Sequence, residues 1–175
     1  MNVLEAEYSV ARGCPVLDTE LTRDCVGYLT AANGTFGETA IIHGGRQSMP
    51  LSYDNTLPPY FSQAERTWAQ AQDWTVQGVQ TLTLYFRGDP ANTEATLYIV
   101  LKDSASRTGT VVYPDAAASL ATTWQQWDIP LSTFSSTGVN LKAVKSLSVG
   151  VGNPKAPAVG GTGQVYIDDI QVRKH

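Results

Sequence analysis

Histidine and cysteine are scarce in this chain, with two of each in 175 residues. That scarcity removes several chemistries at once. Zinc-hydrolase spacing needs paired histidines on one helix, and none is present. A Ser-His-Asp triad would have to use His43, because the other histidine, His175, ends the chain, and no Gly-x-Ser-x-Gly elbow exists to carry the serine. Charge is also sparse, at 16% of residues, with a net −4. A nucleic-acid partner demands a basic face, so that class is excluded. No run approaches the roughly 20 apolar residues of a membrane-spanning helix. What the sequence has instead is glycine, 15 residues, with abundant serine and threonine. That composition favours an all-β protein with many turns.

The length suits one domain with a self-sufficient core, and the expectation is a single unit over 1–175. Cys14 and Cys25 share one N-terminal segment. A disulfide between them would close a small loop worth about 3 kcal/mol in the chain-entropy model. Two free thiols are the alternative, since pairing is not readable from spacing. The opening "MNVLEAEYSV" carries acids where a secretion signal carries a basic start and an apolar run. This suggests a domain cut from a longer protein, with Met1 and the terminal "RKH" added to it.

Period-two alternation dominates the rest. In "TLTLYFRG", Leu82, Leu84 and Phe86 share one face, and Thr83, Tyr85 and Arg87 the other. In "TLYIVLKD", Leu97, Ile99 and Leu101 oppose Tyr98, Val100 and Lys102. In "WQQWDIPL", Trp127, Ile129 and Leu131 oppose Gln126 and Asp128, and "SLSVGVG" behaves likewise. Such alternation marks strands with one face on a core and one in water. Further strands are expected at Val3–Ser9, Thr39–His43, Gln47–Tyr53, Thr108–Tyr113 and Val165–Val172, separated by turn signals such as "HGGRQ" and "GNPKAPAVGGTG". Residues 62–72 read equally as a weak helix or a strand, and "NLKAV" as one helical turn. About ten short strands at this spacing predict a two-sheet antiparallel β-sandwich. Trp74 and Trp127 are expected in its core.

The two ends of the chain carry acids. "VLEAEYSV" places Glu5 and Glu7 on one strand face, and "YIDDIQV" supplies Asp168 from the last strand. If the ends meet, these oxygens suit a hard cation such as calcium, which takes six to eight oxygen ligands. On a regular strand, Asp169 points away from Asp168. The alternative is solvated glutamates with Asp168 capping a turn or pairing with Arg173.

This pattern resembles the calcium-containing carbohydrate-binding modules of the galactose-binding-like jelly-roll superfamily, families 6 and 35. In those modules an N-terminal Glu-Ala-Glu and a C-terminal Ile-Asp-x-Ile hold a structural calcium. The resemblance implies a jelly roll with Glu5, Glu7 and Asp168 as calcium ligands, helped by carbonyls from a loop such as "HGGRQ". It further implies a monomeric, non-catalytic module of a secreted bacterial protein that binds a polysaccharide or oligosaccharide beside an appended catalytic domain.

Sugar recognition needs flat apolar rings flanked by hydrogen-bonding groups. Tyr85 and Tyr98, on what the alternation suggests are adjacent strands, with Arg87, Lys102, Gln126 and Asp128, would form such a face. Ordinary cross-strand pairing on a solvated sheet is the competing reading. Tyr60, after "LPP", is expected to be exposed at a second, loop-borne site that also draws on Tyr53, Asp54, Asn55, Trp68 and Trp74. Two other functions stay open. One is a structural or adhesive module. The other is a small polysaccharide-active enzyme, using two carboxylates among Asp54, Asp89, Asp103 and Asp128, or a lyase cluster of Tyr85, Arg87, Tyr98 and Lys102.

Overall fold

The computed structural model describes residues 9–11 and 38–174. Glu5, Glu7, Cys14 and Cys25 lie outside the described residues, and the expected Val3–Ser9 strand overlaps them only at Ser9. Nine strands occur among the described residues: β1 (Ser9–Ala11), β2 (Met49–Asp54), β3 (Ser62–Gln72), β4 (Thr81–Arg87), β5 (Leu97–Asp103), β6 (Thr108–Val112), β7 (Gln125–Pro130), β8 (Val144–Val151) and β9 (Thr162–Arg173). A short helix, α1 (Leu131–Ser135), follows β7, and three 3-10 turns complete the regular structure. The strands form two antiparallel sheets, ordered β1-β3-β8-β5-β6 and β2-β9-β4-β7. The chain is therefore an all-β sandwich of the jelly-roll kind.

Alternation builds the core between the sheets. Leu82, Leu84 and Phe86 of β4 are fully buried, as are Leu97, Ile99 and Leu101 of β5. Leu147, Val149 and Val151 of β8 and Trp127 and Ile129 of β7 complete the layer. Edge-to-face ring pairs lock it: Tyr113 meets Phe86 at 4.9 Å and Trp127 at 5.2 Å, and Trp68 meets Trp74 at 5.8 Å. Trp74 and Trp127 are core residues, as expected. The ambiguous segment 62–72 is strand β3, and "NLKAV" contains the 3-10 turn Leu141–Ala143.

Two expectations need correction. Residues 39–43 are not a strand. They belong to a loop closed by a two-way ladder pair between Glu38 and Ser48, with N–O distances of 3.0 and 2.9 Å. Tyr98 and Lys102 do not share a face with Tyr85, Arg87 and Gln126, because β5 lies in the five-stranded sheet while β4 and β7 lie in the four-stranded one. Alternation fixes which side chains share a face of one strand. It does not say which sheet the strand joins.

The last strand answers the puzzle of its paired acids. Val165 and Ile167 point inward at odd positions, Ile170 and Val172 at even ones, and all four are buried. One extra residue must absorb the change of parity. Tyr85 pairs with Asp168 and Thr83 with Gln171, so Leu84 faces two residues of β9. That is a β-bulge, and Asp169 occupies it in the left-handed region at φ 48°. Aspartate tolerates this conformation better than most residues.

Candidate carbohydrate-binding face

The outward side of the four-stranded sheet carries the chemistry. From β4 come Thr83, Tyr85 and Arg87, from β7 Gln126 and Asp128, and from β9 Tyr166, Gln171 and Arg173. Register places Arg87 opposite Tyr166 and Tyr85 opposite Gln126. A hydrogen-bond chain runs across the face. The Tyr85 hydroxyl donates to Gln126 Oε1 at 2.6 Å, and Gln126 Nε2 donates to Asp128 Oδ2 at 2.7 Å. Thr83 Oγ1 and Arg173 Nη2 both donate to Asp128 Oδ1, at 2.6 and 2.7 Å. Partial burial pushes the Asp128 carboxyl up, but the donors from Thr83 and Gln126 and the Arg173 charge outweigh it and hold the group below its ordinary range. Asp128 is therefore a fixed anion. Burial, reinforced by the charges of Glu38 and Asp89, pushes the Tyr166 phenol up despite Arg87. Tyr166 is therefore a neutral hydroxyl. Among the described residues, Arg87 Nε has no hydrogen-bond partner.

The bulge brings a further element onto this face. Asp168 and Asp169 do not diverge as a regular strand would require. Asp168 is buried, and its Oδ2 accepts the backbone N–H groups of His43 at 2.8 Å and Gly44 at 3.2 Å, while Oδ1 accepts from Asp169 N at 2.8 Å. Asp169 Oδ2 lies 2.7 Å from His43 Nδ1. The 39–47 loop is thus pinned across β9. Its His43 ring lies on Tyr85, with centroids 3.6 Å apart and planes within 16°, and Trp124 meets that ring edge-on at 5.6 Å.

The loop that contacts Asp168 is the one expected to supply calcium-binding carbonyls. It presents two backbone N–H groups to Asp168 Oδ2. Among the described residues no group of three acidic, histidine or cysteine side chains is arranged to hold a metal.

Of the expected ligand residues, Tyr85, Arg87 and Gln126 are assembled on this face. Tyr98 is fully buried in the other sheet, with its hydroxyl 2.9 Å from Gln63 Oε1, and burial pushes its phenol pKa far up. Lys102 follows it on β5. The lyase cluster of two tyrosines with Arg87 and Lys102 is therefore not assembled. Tyr60 is half-buried rather than exposed, in the β2–β3 turn with its carbonyl against Gly152 of the five-stranded side. Two of the loop-borne candidates make structural contacts. Tyr53 donates to the Thr93 carbonyl, and Asn55 joins Val151 to Ser62. His43, Trp124, Tyr166 and Asp169 were not among the expected ligand residues. The parity change within "VYIDDIQV" was the available signal for the bulge that gathers most of them.

Residues 26–174 match the model of the family described as carbohydrate binding domain 30. The chain belongs to that family. This module also resembles solved structures at the level of fold. The family 30 carbohydrate-binding module of the cellulosomal cellulase Cel9D-Cel44B of Clostridium thermocellum is 16% identical with a TM-score of 0.60, covering 79% of this chain and 81% of its own. A family 11 module from Clostridium thermocellum, in complex with a β-1,3-1,4-mixed-linked tetrasaccharide, is 12% identical with a TM-score of 0.51, covering 77% and 79%. An exo-β-agarase is 12% identical with a TM-score of 0.58, where the match covers 79% of this chain and 22% of the agarase. No curated protein sequence matches the chain. The family 6 and 35 comparison was thus loose, while the carbohydrate-binding jelly roll stands.

Proposed function

We propose that this carbohydrate-binding module is a non-catalytic, extracellular β-glucan binder whose site is the outward face of the four-stranded sheet. The observation that carries this is the assembly of three ring-bearing positions, Trp124, the His43–Tyr85 stack and Tyr166, among the polar side chains of Arg87, Gln126 and Asp128. Rings offer flat apolar surface to pyranose faces, and the polar groups lie in reach of hydroxyls. The β-glucan class is taken from the tetrasaccharide in the family 11 complex and the cellulase that carries the family 30 relative. An appended polysaccharide-degrading domain in the same polypeptide is supported by the cellulase that carries the family 30 relative and by the agarase in which the fold recurs. Each contact would be weak alone and strengthened by avidity in such a parent protein. Asp128, held as an anion by three donors, is poorly suited to general-acid work, which supports the non-catalytic reading.

The test is calorimetry or affinity electrophoresis against mixed-linkage β-glucan, cello-oligosaccharides and agarose. Retardation by β-glucan is expected. Absence of any interaction across the panel would favour a structural or adhesive module, and release of reducing ends or unsaturated products would make it an enzyme.

A further inference from the structure

The ring geometry on the sheet raises a difficulty for the simplest version of that reading. Tyr85, the central tyrosine, does not offer its outer face, because the His43 imidazole covers it at stacking distance. Nor is the imidazole loosely placed. Its own backbone N–H and that of Gly44 are held by Asp168, and its Nδ1 by Asp169. The Asp169 carboxylate sits where a side chain on Gly44 would go, so glycine is needed there for the loop to close on the bulge. The histidine side chain remains about 31% exposed. Three polar contacts and a ring stack thus position one partly exposed ring at the centre of the face.

We infer that His43 is itself the ligand-contacting ring, with Tyr85 as its pedestal and Asp169 as a positioning residue that sets its tautomer. This rests on the sheet-face reading above and sharpens it. A carboxylate can only accept, so the proton on the neutral imidazole resides on Nδ1 and is donated to Asp169. Nε2 is then a bare acceptor on the ring edge remote from the bulge. His43 therefore combines a flat surface with an acceptor for a sugar hydroxyl on one ring, whereas Tyr85 lies beneath it with its outer face covered. A site built to accept from a hydroxyl discriminates against sugars lacking it, because the acceptor is otherwise left unpaired. The ligand class is a pyranose chain presenting a hydroxyl donor beside the stacked ring.

The experiment is titration of the full chain with the β-1,3-1,4-mixed-linked tetrasaccharide, by calorimetry and by nitrogen-15 NMR of the histidine ring. H43A is expected to weaken binding about tenfold or more, the scale of a central contact residue. H43F, which keeps a flat ring on Tyr85 but has no acceptor, should fold normally and still lose several-fold. D169N should weaken binding and change the Nδ1 signal of the free protein. In the wild type, ligand should move the Nε2 signal and leave Nδ1 in place. Equal or tighter binding by H43A would show that His43 merely covers Tyr85, and would overturn the inference while leaving the sheet-face site intact. Wild-type protein that binds no glycan in the panel would remove both.

Discussion

The ring of Tyr98 on β5 fills the space that a side chain on Gly150 of β8 would need, and the two residues are register partners. Gly150 is therefore fixed by packing, and Tyr98 belongs to the structure of the five-stranded sheet. G150A should destabilise the protein by about 1–3 kcal/mol, the usual cost of overpacking, because the neighbour is a fully buried ring with no free end to yield. Glycan affinity of the folded fraction should be unchanged. Denaturant melts paired with calorimetry check both.

Sequence patterning made the sandwich legible because both sheets alternate cleanly, and apolar residues such as Leu84 and Leu101 fall where a period of two puts them. It paired Tyr85 with Tyr98 wrongly because consecutive strands β4 and β5 belong to opposite sheets, a non-local fact set by loop paths. The site was half legible. Tyr85, Arg87 and Gln126 follow from alternation, whereas His43 reaches the face only because a loop crosses β9. The acids of "VYIDDIQV" signalled something unusual in the last strand. The finding there is a bulge clamping backbone N–H groups.

Single substitutions should separate the two sheets functionally. Y166A, W124A and R87A each remove a group from the proposed face and should weaken β-glucan binding about tenfold, with melting temperatures little changed. Y98F should do the reverse. It removes the hydrogen bond to Gln63, costing about 1 kcal/mol of stability, and leaves affinity as in the wild type. Loss of binding in Y98F alone would move the site to the other sheet. Isothermal titration with parallel thermal melts reads each variant.

Asp103 predicts an acid sensitivity. Burial of this 1%-exposed carboxyl works against its ionisation, but backbone donors from Asn140, Arg107 and Ala105, with the Arg107 guanidinium at 2.7 Å, hold its pKa below the ordinary 3.8. A depressed folded-state value stabilises the protein above the unfolded value, and that contribution is lost as pH falls through the folded one. Wild type should therefore lose stability from about pH 4 downward. D103N should be less stable at pH 7 and show a flatter profile below pH 4. Denaturation midpoints at pH 7 and pH 3 check the crossover.

Asp168 decides between a backbone clamp and a calcium ligand. As a clamp, its charge is already met by three N–H donors from His43, Gly44 and Asp169. Hydrogen bonds to a charged group are worth about 1.5–3 kcal/mol each, so D168A should cost several kcal/mol, release the 39–47 loop and lower glycan affinity with it. Exhaustive EDTA should leave the wild-type melting temperature where it was, because a cation bound only by the native state would otherwise have raised it. A fall in melting temperature on chelation, abolished in D168A, would instead mean that Asp168 turns to a metal shared with acids such as Glu5 and Glu7. Differential scanning calorimetry of both proteins, with and without chelator, distinguishes the cases, since only a metal site couples the chelator's effect to this one carboxylate.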